Sequence, residues 1–247
     1  MNRILALLVV VFFATFSANA QAEGVWSADF STATYTQRLS GTTGSVKYPD
    51  LLTQTTVVLG YAVDDVKLSM KVLDWTSWDN KTNGGDETDV YVWLDWAPSS
   101  ALTVSAGYEY WFMPYAADLH VAFAKVNYRP AAKTSVFVLL EEMFPTRPEK
   151  LKGGLLYTFG VSQALDVCGQ PFVLGAQVGS HHQALGLKSS PLNVGRVSAS
   201  TKVGIVDTGL GKLSLDLGVA YQLPILGNCY SGGYFNAGLS LPLEFKK

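Results

Sequence analysis

The chain has 247 residues, with 18 Lys and Arg against 20 Asp and Glu, and its formal charge of −2 leaves no electrostatic footprint for nucleic acid. Charged residues make up only 15%, against about 25% in ordinary soluble domains, while 23 Gly, 12 Tyr, 12 Phe and 6 Trp are plentiful. A soluble all-β protein of this size would lack its charged outer skin, and two cysteines are too few for a disulfide framework.

At the start of the chain, Arg3 precedes an apolar run from Ile4 to Phe16, and Ala18-Asn19-Ala20 follows with small-x-small spacing. This is the layout of a cleaved secretory signal peptide, so residues 1–20 are set apart and 21–247 are read as one domain. The run is shorter than the roughly 20 residues a helix needs to cross a bilayer, and no comparable run follows.

Beyond it, alternation of period 2 recurs over 24–36, 51–63, 66–75, 87–97, 101–112, 118–128, 134–143, 151–163, 171–182, 195–207, 211–223 and 233–245. The pattern predicts an all-β fold: a transmembrane antiparallel up-and-down β-barrel of about 12 strands, each near the length that a tilted membrane strand requires. Connections at Val63-Asp64-Asp65, Pro98-Ser99-Ser100, Arg129 to Lys133 and Asp207 to Leu210 are short and rich in turn formers. Those spanning Gln37 to Asp50, Thr76 to Asp86, Gln183 to Val194 and Pro224 to Gly232 are long. Outer-membrane barrels have short periplasmic turns and longer outer loops, so both termini are expected in the periplasm. The stretch Ala164 to Gln170 is the exception, longer than a tight turn on the short side.

Read by parity, one face carries Val66, Leu68, Met70 and Val72, then Val90 to Trp96 and Leu102 to Tyr110 at alternate positions, and ends with Phe235 to Phe245. The other carries Lys67, Ser69 and Lys71; Thr103, Ser105, Gly107 and Glu109; Ser198, Ser200, Lys202 and Gly204. Gly, Ser and Thr dominate this second face, as crowding inside a narrow barrel demands. In "GKLSLDLGVAYQL", Leu213 to Tyr221 are therefore expected to face lipid, and Ser214 and Asp216 the lumen. Trp75, Trp96, Tyr110, Tyr128 and Tyr221 suit the interfacial girdles. Tyr91, Trp93 and Trp111 fall on the inward parity and predict a narrow or closed pore.

The lumen-lining candidates are Lys67, Lys71, Glu109, Lys202 and Asp216, within a wider inward set in which Asp29, Asp95, Glu109 and Asp216 balance Lys67, Lys71, Lys152 and Lys202. Such balance predicts no strong ion selectivity. Paired inward charges also fit an ionic network that fills the lumen. Ser180 and His182 of "GSHHQ" share the outward parity near the outer rim, the one place where a nucleophile and a base stand together. His120 is assigned to the inward face. The vicinal His181 and His182 lack nearby Asp, Glu or Cys at ligand spacing, so no metal and no cofactor are expected. "LKGGLLYTFG" lies inside strand pattern and is no phosphate cradle, and Glu141-Glu142 cannot share one face. In this topology Cys168 and Cys229 lie at opposite ends of the barrel, too far apart for a disulfide.

From "WSADFSTATYTQRLSGTTGSVKYPDLLTQTTVVLGYA" (26–62) through "DETDVYVWLDWAPSSALTVSAGYEYWFMPYAADLHVAFAKVNY" (86–128), the chain resembles the TorF-like or Gcw_chp family of bacterial outer-membrane barrel proteins. Arg38, Pro49, Asp89, Tyr91, Tyr108, Tyr110 and Pro114 stand in places similar to that family's early loop and aromatic hairpin. Leu39 follows Arg38 where the family has Gly, and Met113 stands where a Tyr is usual before the Pro. The resemblance implies an outer-membrane barrel of a Gram-negative bacterium. The C-terminal "FNAGLSLPLEFKK" alternates to Phe245, which resembles the signal read by the barrel-insertion machinery, with Lys246 and Lys247 beyond it.

The functional expectation is a non-enzymatic, monomeric barrel embedded in outer-membrane lipid, acting as a narrow channel or uptake route for small solutes. One alternative is a closed structural or surface-interaction barrel with working outer loops. Another is a membrane-embedded lipid hydrolase using Ser180 and His182.

Overall fold

The computed structural model describes residues 24–36, 38–39, 47–48, 51–77, 87–113, 118–149, 151–184, 190–209, 211–225 and 231–246. Its strands are β1 (Val25–Tyr35), β2 (Arg38–Leu39), β3 (Lys47–Tyr48), β4 (Leu52–Val63), β5 (Val66–Ser77), β6 (Glu87–Ser99) and β7 (Leu102–Phe112). They continue as β8 (Leu119–Ala131), β9 (Thr134–Pro145), β10 (Gly154–Val167), β11 (Gln170–His182), β12 (Ser190–Asp207), β13 (Lys212–Pro224) and β14 (Gly232–Lys246). All but β2 and β3 form one closed barrel, in which each strand pairs antiparallel with its sequence neighbour and β1 pairs with both β4 and β14. β2 and β3 form a two-residue ladder of their own within the first long connection. The expected signal peptide, Pro49, Pro114 and Cys229 lie outside the described residues.

The barrel holds because cross-strand neighbours share a face, so one parity per strand fixes the inside all the way round. Lys71, Tyr91, Glu109, Val121 and Met143 form one inward row across β5 to β9. Ser69, Trp93, Gly107, Phe123, Glu141, Leu156 and His181 form the next, reaching β11. On the opposite parity, Phe30, Leu94, Trp96, Phe159, Val197, Val219, Tyr221 and Phe235 are all more than two-fifths exposed. An apolar belt this continuous is far larger than the patches a monomeric soluble protein exposes.

Short turns at one rim alternate along the chain with longer connections at the other. Cys168 (φ 55°) and Gly169 (φ 79°) take consecutive left-handed conformations, the signature of a two-residue type I′ hairpin, and Gly169 N–H donates to Asp166 Oδ1 at 2.9 Å. The stretch expected to be longer, 164–170, is therefore a tight turn: β10 and β11 pair down to Val167 and Gln170. This places the exposed Cys168 at the short-turn rim, the same rim as the ends of β1 and β14, where Val25 faces Lys246.

Three parity assignments are corrected. His120 pairs with Tyr110 and Phe144 and faces outward, because β8 runs its inward set through Leu119, Val121, Phe123 and Lys125. Trp75 pairs with Gln54 and Glu87 on the inside, so it is no girdle residue. Lys152 lies in the connection before Gly154 and belongs to no strand. Phe137, Leu139 and Glu141 sort cleanly to the inside of β9, with Glu142 outside.

Leu217, in the middle of β13, points outward opposite Ala237 and Thr201. Leu217→Arg is expected to lower the stability of the barrel in lipid by about 2–4 kcal/mol, the cost of an Arg near the bilayer midplane. Urea unfolding in phospholipid vesicles measures it.

Candidate functional site: the barrel interior

The interior is lopsided. Across β5 to β9 the inward set is rich in long, charged or aromatic side chains; from β10 through β14 many are small, among them Thr158, Gly160, Ser162, Gly175, Ser198, Ser200, Gly218 and Ser240. A closed circle of twelve strands has little room inside, so bulk on one wall requires smallness on the other. Gly160 makes this concrete: a Cβ there would overlap the ring of Phe137 on the neighbouring strand. Likewise a Cβ on Gly107 would stand 2.8 Å from the ring of Phe123.

On the bulky wall, acids and aromatics pair within one strand. Residues i and i+2 lie on one face roughly 7 Å apart at Cα, within reach of an indole or phenol. Trp93 Nε1 donates to Asp95 Oδ2 at 2.9 Å, Trp111 Nε1 to Glu109 Oε2 at 2.8 Å, and Tyr91 Oη to Asp89 Oδ2 at 3.3 Å. Ser105 Oγ reaches the other oxygen of Asp95 at 2.5 Å. The cations lie on aromatic faces: Lys71 Nζ is 3.3 Å from the centre of the Tyr91 ring, and Lys125 Nζ is 4.9 Å from that of Phe137. Such contacts hold the charge while leaving its N–H groups free for water or solute.

All five residues singled out from the sequence point inward, in two separate groups. Lys71 and Glu109 flank Tyr91, and Lys67 lies two inward levels nearer the short-turn end, opposite Asp95. Lys202 and Asp216 are cross-strand partners on the small-residue wall, with Nζ 3.7 Å from Oδ1. The charged set extends further, since Glu87, Asp89, Lys125, Glu141 and Arg196 share the inward face. Arg196 Nη2 donates to Gln222 Oε1 at 2.7 Å and its guanidinium lies 5.8 Å from the Tyr234 ring. Parity was the available signal for these residues. For Glu141 it was obscured because Glu142 follows it and Phe137 and Leu139 precede it.

The two ends of the lumen differ. Toward the long connections, Leu119, Val121, Met143, Leu156 and Ala184 are buried together, with Trp111 and Met113 packed against them. Across the barrel, Tyr35 stacks near Trp75 and Tyr234 and donates its hydroxyl to Gln54 Oε1 at 2.8 Å. Toward the short turns lies a chamber of about 690 Å³ walled by Lys67, Asp95, Thr103, Asn127, Arg129 and Ser135 among others.

Ser180 and His182 share the outward face opposite Tyr157 and Leu155. Glu142 lies in the same outward row as His182, with Leu155 between them. His120, also outward, is bonded to the Tyr108 hydroxyl through Nδ1 and stacks near Tyr110, on another part of the wall.

No family model matches the chain, and no curated protein matches it in sequence. In structure it is similar to the NanC porin, with 11% identity and a TM-score of 0.52 over 87% of this chain and 98% of that one. It is also similar to the KdgM porin, with 9% identity and a TM-score of 0.50 over 87% and 98% of the two chains. A third likeness is to the COG4313 outer membrane channel of Pseudomonas putida F1, with 10% identity and a TM-score of 0.50 over 91% and 96%. The shared feature is the fold, a closed antiparallel barrel of the kind found in outer-membrane proteins.

The Phe137 ring occupies the space that a side chain at position 160 would fill. Gly160→Val is expected to cost about 1–3 kcal/mol through overpacking, and Gly160→Val with Phe137→Ala to recover most of that loss; a double-mutant cycle in urea measures the coupling. For Lys202 and Asp216, whose side chains are 50% and 33% exposed, the same cycle is expected to give a coupling of at most about 1 kcal/mol.

Proposed function

We propose that the chain is an outer-membrane β-barrel acting as a narrow channel for small solutes. The observation that carries this reading is the sorting of one closed sheet into an apolar outside and a charged, hydroxyl-rich inside. An interior of structural filler alone would be served by apolar packing, whereas Lys71, Lys125 and Arg196 keep their charged ends inside. The fold shared with proteins named as porins supports the same reading.

In this proposal residues 1–20 direct export and are removed, and the short turns with both termini lie in the periplasm. The C-terminal strand ending at Phe245 engages the insertion machinery. The finer family assignment is TorF-like: its matched residues Asp89, Tyr91, Tyr108 and Tyr110 fall on the single hairpin β6–β7, the first two inside and the others outside. Full closure leaves no unpaired strand edge, so the backbone requires no second copy and the barrel acts as a monomer. The cluster around Val121 and Leu156 favours a second reading, a barrel closed at its long-connection end and working through its outer surface.

Planar-bilayer recording of the refolded mature protein, with folding established by heat-modifiable gel mobility, separates the two. The channel reading expects discrete conductance steps, raised by roughly twofold or more in Leu119→Ala with Met143→Ala, because those truncations open space in the buried cluster. Silence from folded wild type and folded double variant alike would overturn it in favour of the closed barrel.

A further inference from the structure

The chamber under the short turns holds opposite charges that do not touch one another. Lys67 and Asp95 are direct cross-strand neighbours, the position where opposite charges on one face ordinarily meet. Asp95 instead turns both oxygens to Trp93 and Ser105. The stem of Lys67 lies across Gly60, into space that a side chain there would occupy. Among the described residues, neither the Lys67 ammonium nor the Arg129 guanidinium forms an ion pair. At the rim, Asp64, at φ 51° in the turn, and Asp65, which accepts from Trp96 Nε1 at 2.7 Å, both line the same cavity.

The chamber thus has cations and the Asn127 amide on its walls and the turn carboxylates Asp64 and Asp65 at its lip, the second of them held by Trp96. A purely anionic solute meets Asp64 and Asp95 as well as its attractors, and a purely cationic one meets Lys67 and Arg129. A solute with an ammonium at one end and a carboxylate at the other has a complementary partner for each. The cavity, about 690 Å³ and open at the short-turn rim, leaves room for a solute longer than one amino acid. The geometry points to a binding chamber for short zwitterionic peptides, with the carboxylate on Lys67 and Arg129 and the ammonium toward Asp64. As the solute class of a channel, this rests on the reading above; the binding itself does not require passage.

Isothermal titration of the refolded mature barrel in detergent micelles tests it with three probes: triglycine, N-acetyl-triglycine and triglycine amide. Triglycine is expected to bind at least about fivefold more tightly than either blocked peptide, a difference well resolved in Kd. Arg129→Gln should abolish the preference over the amide, and Asp64→Asn the preference over the acetylated peptide, each leaving the other preference in place. Equal affinities for all three probes, no binding by triglycine, or preferences that survive both substitutions would each overturn the proposal. Conductance without the peptide preference would leave the channel standing and remove this site. The preference in a barrel silent in bilayers would do the reverse.

Discussion

Everything in this structure depends on the closure of β1 onto β14. In hydrocarbon an unpaired backbone N–H or C=O costs several kcal/mol, so a sheet can sit there only if no strand is left with a free edge. The register from Val25 opposite Lys246 to Tyr35 opposite Asn236 supplies that last seam along the whole of β1. Closure then dictates the rest: with an even number of antiparallel strands both chain ends fall at one rim, and each residue is committed to the inside or the outside. A one-residue slip of β5 or β7 would send Lys71 or Glu109 outward into the apolar belt, so the hydrophobic pattern and the hydrogen-bond register protect one another.

The interior follows from what a narrow closed circle can accept. Indoles and phenols turned inward must find acceptors, and inward carboxylates must find donors. Placing them two residues apart on one strand satisfies both at once, as Trp93 with Asp95 and Trp111 with Glu109 do. The acids are thereby held by neutral donors, and the cations are left on ring faces or facing the chamber. The interior is better described as an aromatic–carboxylate scaffold with Lys71 and Lys125 seated on ring faces than as an ionic network, although Lys202 and Asp216 do pair on the opposite wall.

The barrel was legible in the sequence because period 2 is a strong signal when one face meets lipid. From Leu213 to Tyr221, every second residue is apolar, and the structure turns those residues out and Ser214 and Asp216 in. Where the signal failed, neither face was purely apolar or purely polar. In β8 both parities carry apolar residues beside His120 and Lys125, and counting outward from the wrong one put His120 inside. Trp75 looked like a girdle residue because aromatics near strand ends have that use, yet inward aromatics cap lumens as well. The interior charges Lys125 and Glu141 lie on strands whose two faces both carry apolar residues, so their side was fixed only by partners across strands, and sequence gives parity within a strand, not the register between strands. For the same reason no spacing in the sequence could show that Asp95 turns away from Lys67.

The difference between the two ends of the lumen has its origin in the connections. A two-residue turn such as Cys168–Gly169 has no chain to spare, so nothing in it can fold across the mouth, and the chamber there is walled only by strand residues and turn tips. At the other end the chain leaving β11 takes a left-handed step at Gln183 (φ 55°) and carries Ala184 inward, where it is fully buried among Leu119, Val121, Met143 and Leu156. Gly154 at the start of β10 accepts this approach, since a Cβ there would overlap the backbone of Ala184. The alternation of short and long connections therefore shapes the lumen as well as orienting the barrel: the rim with chain to spare is the rim where chain packs inward.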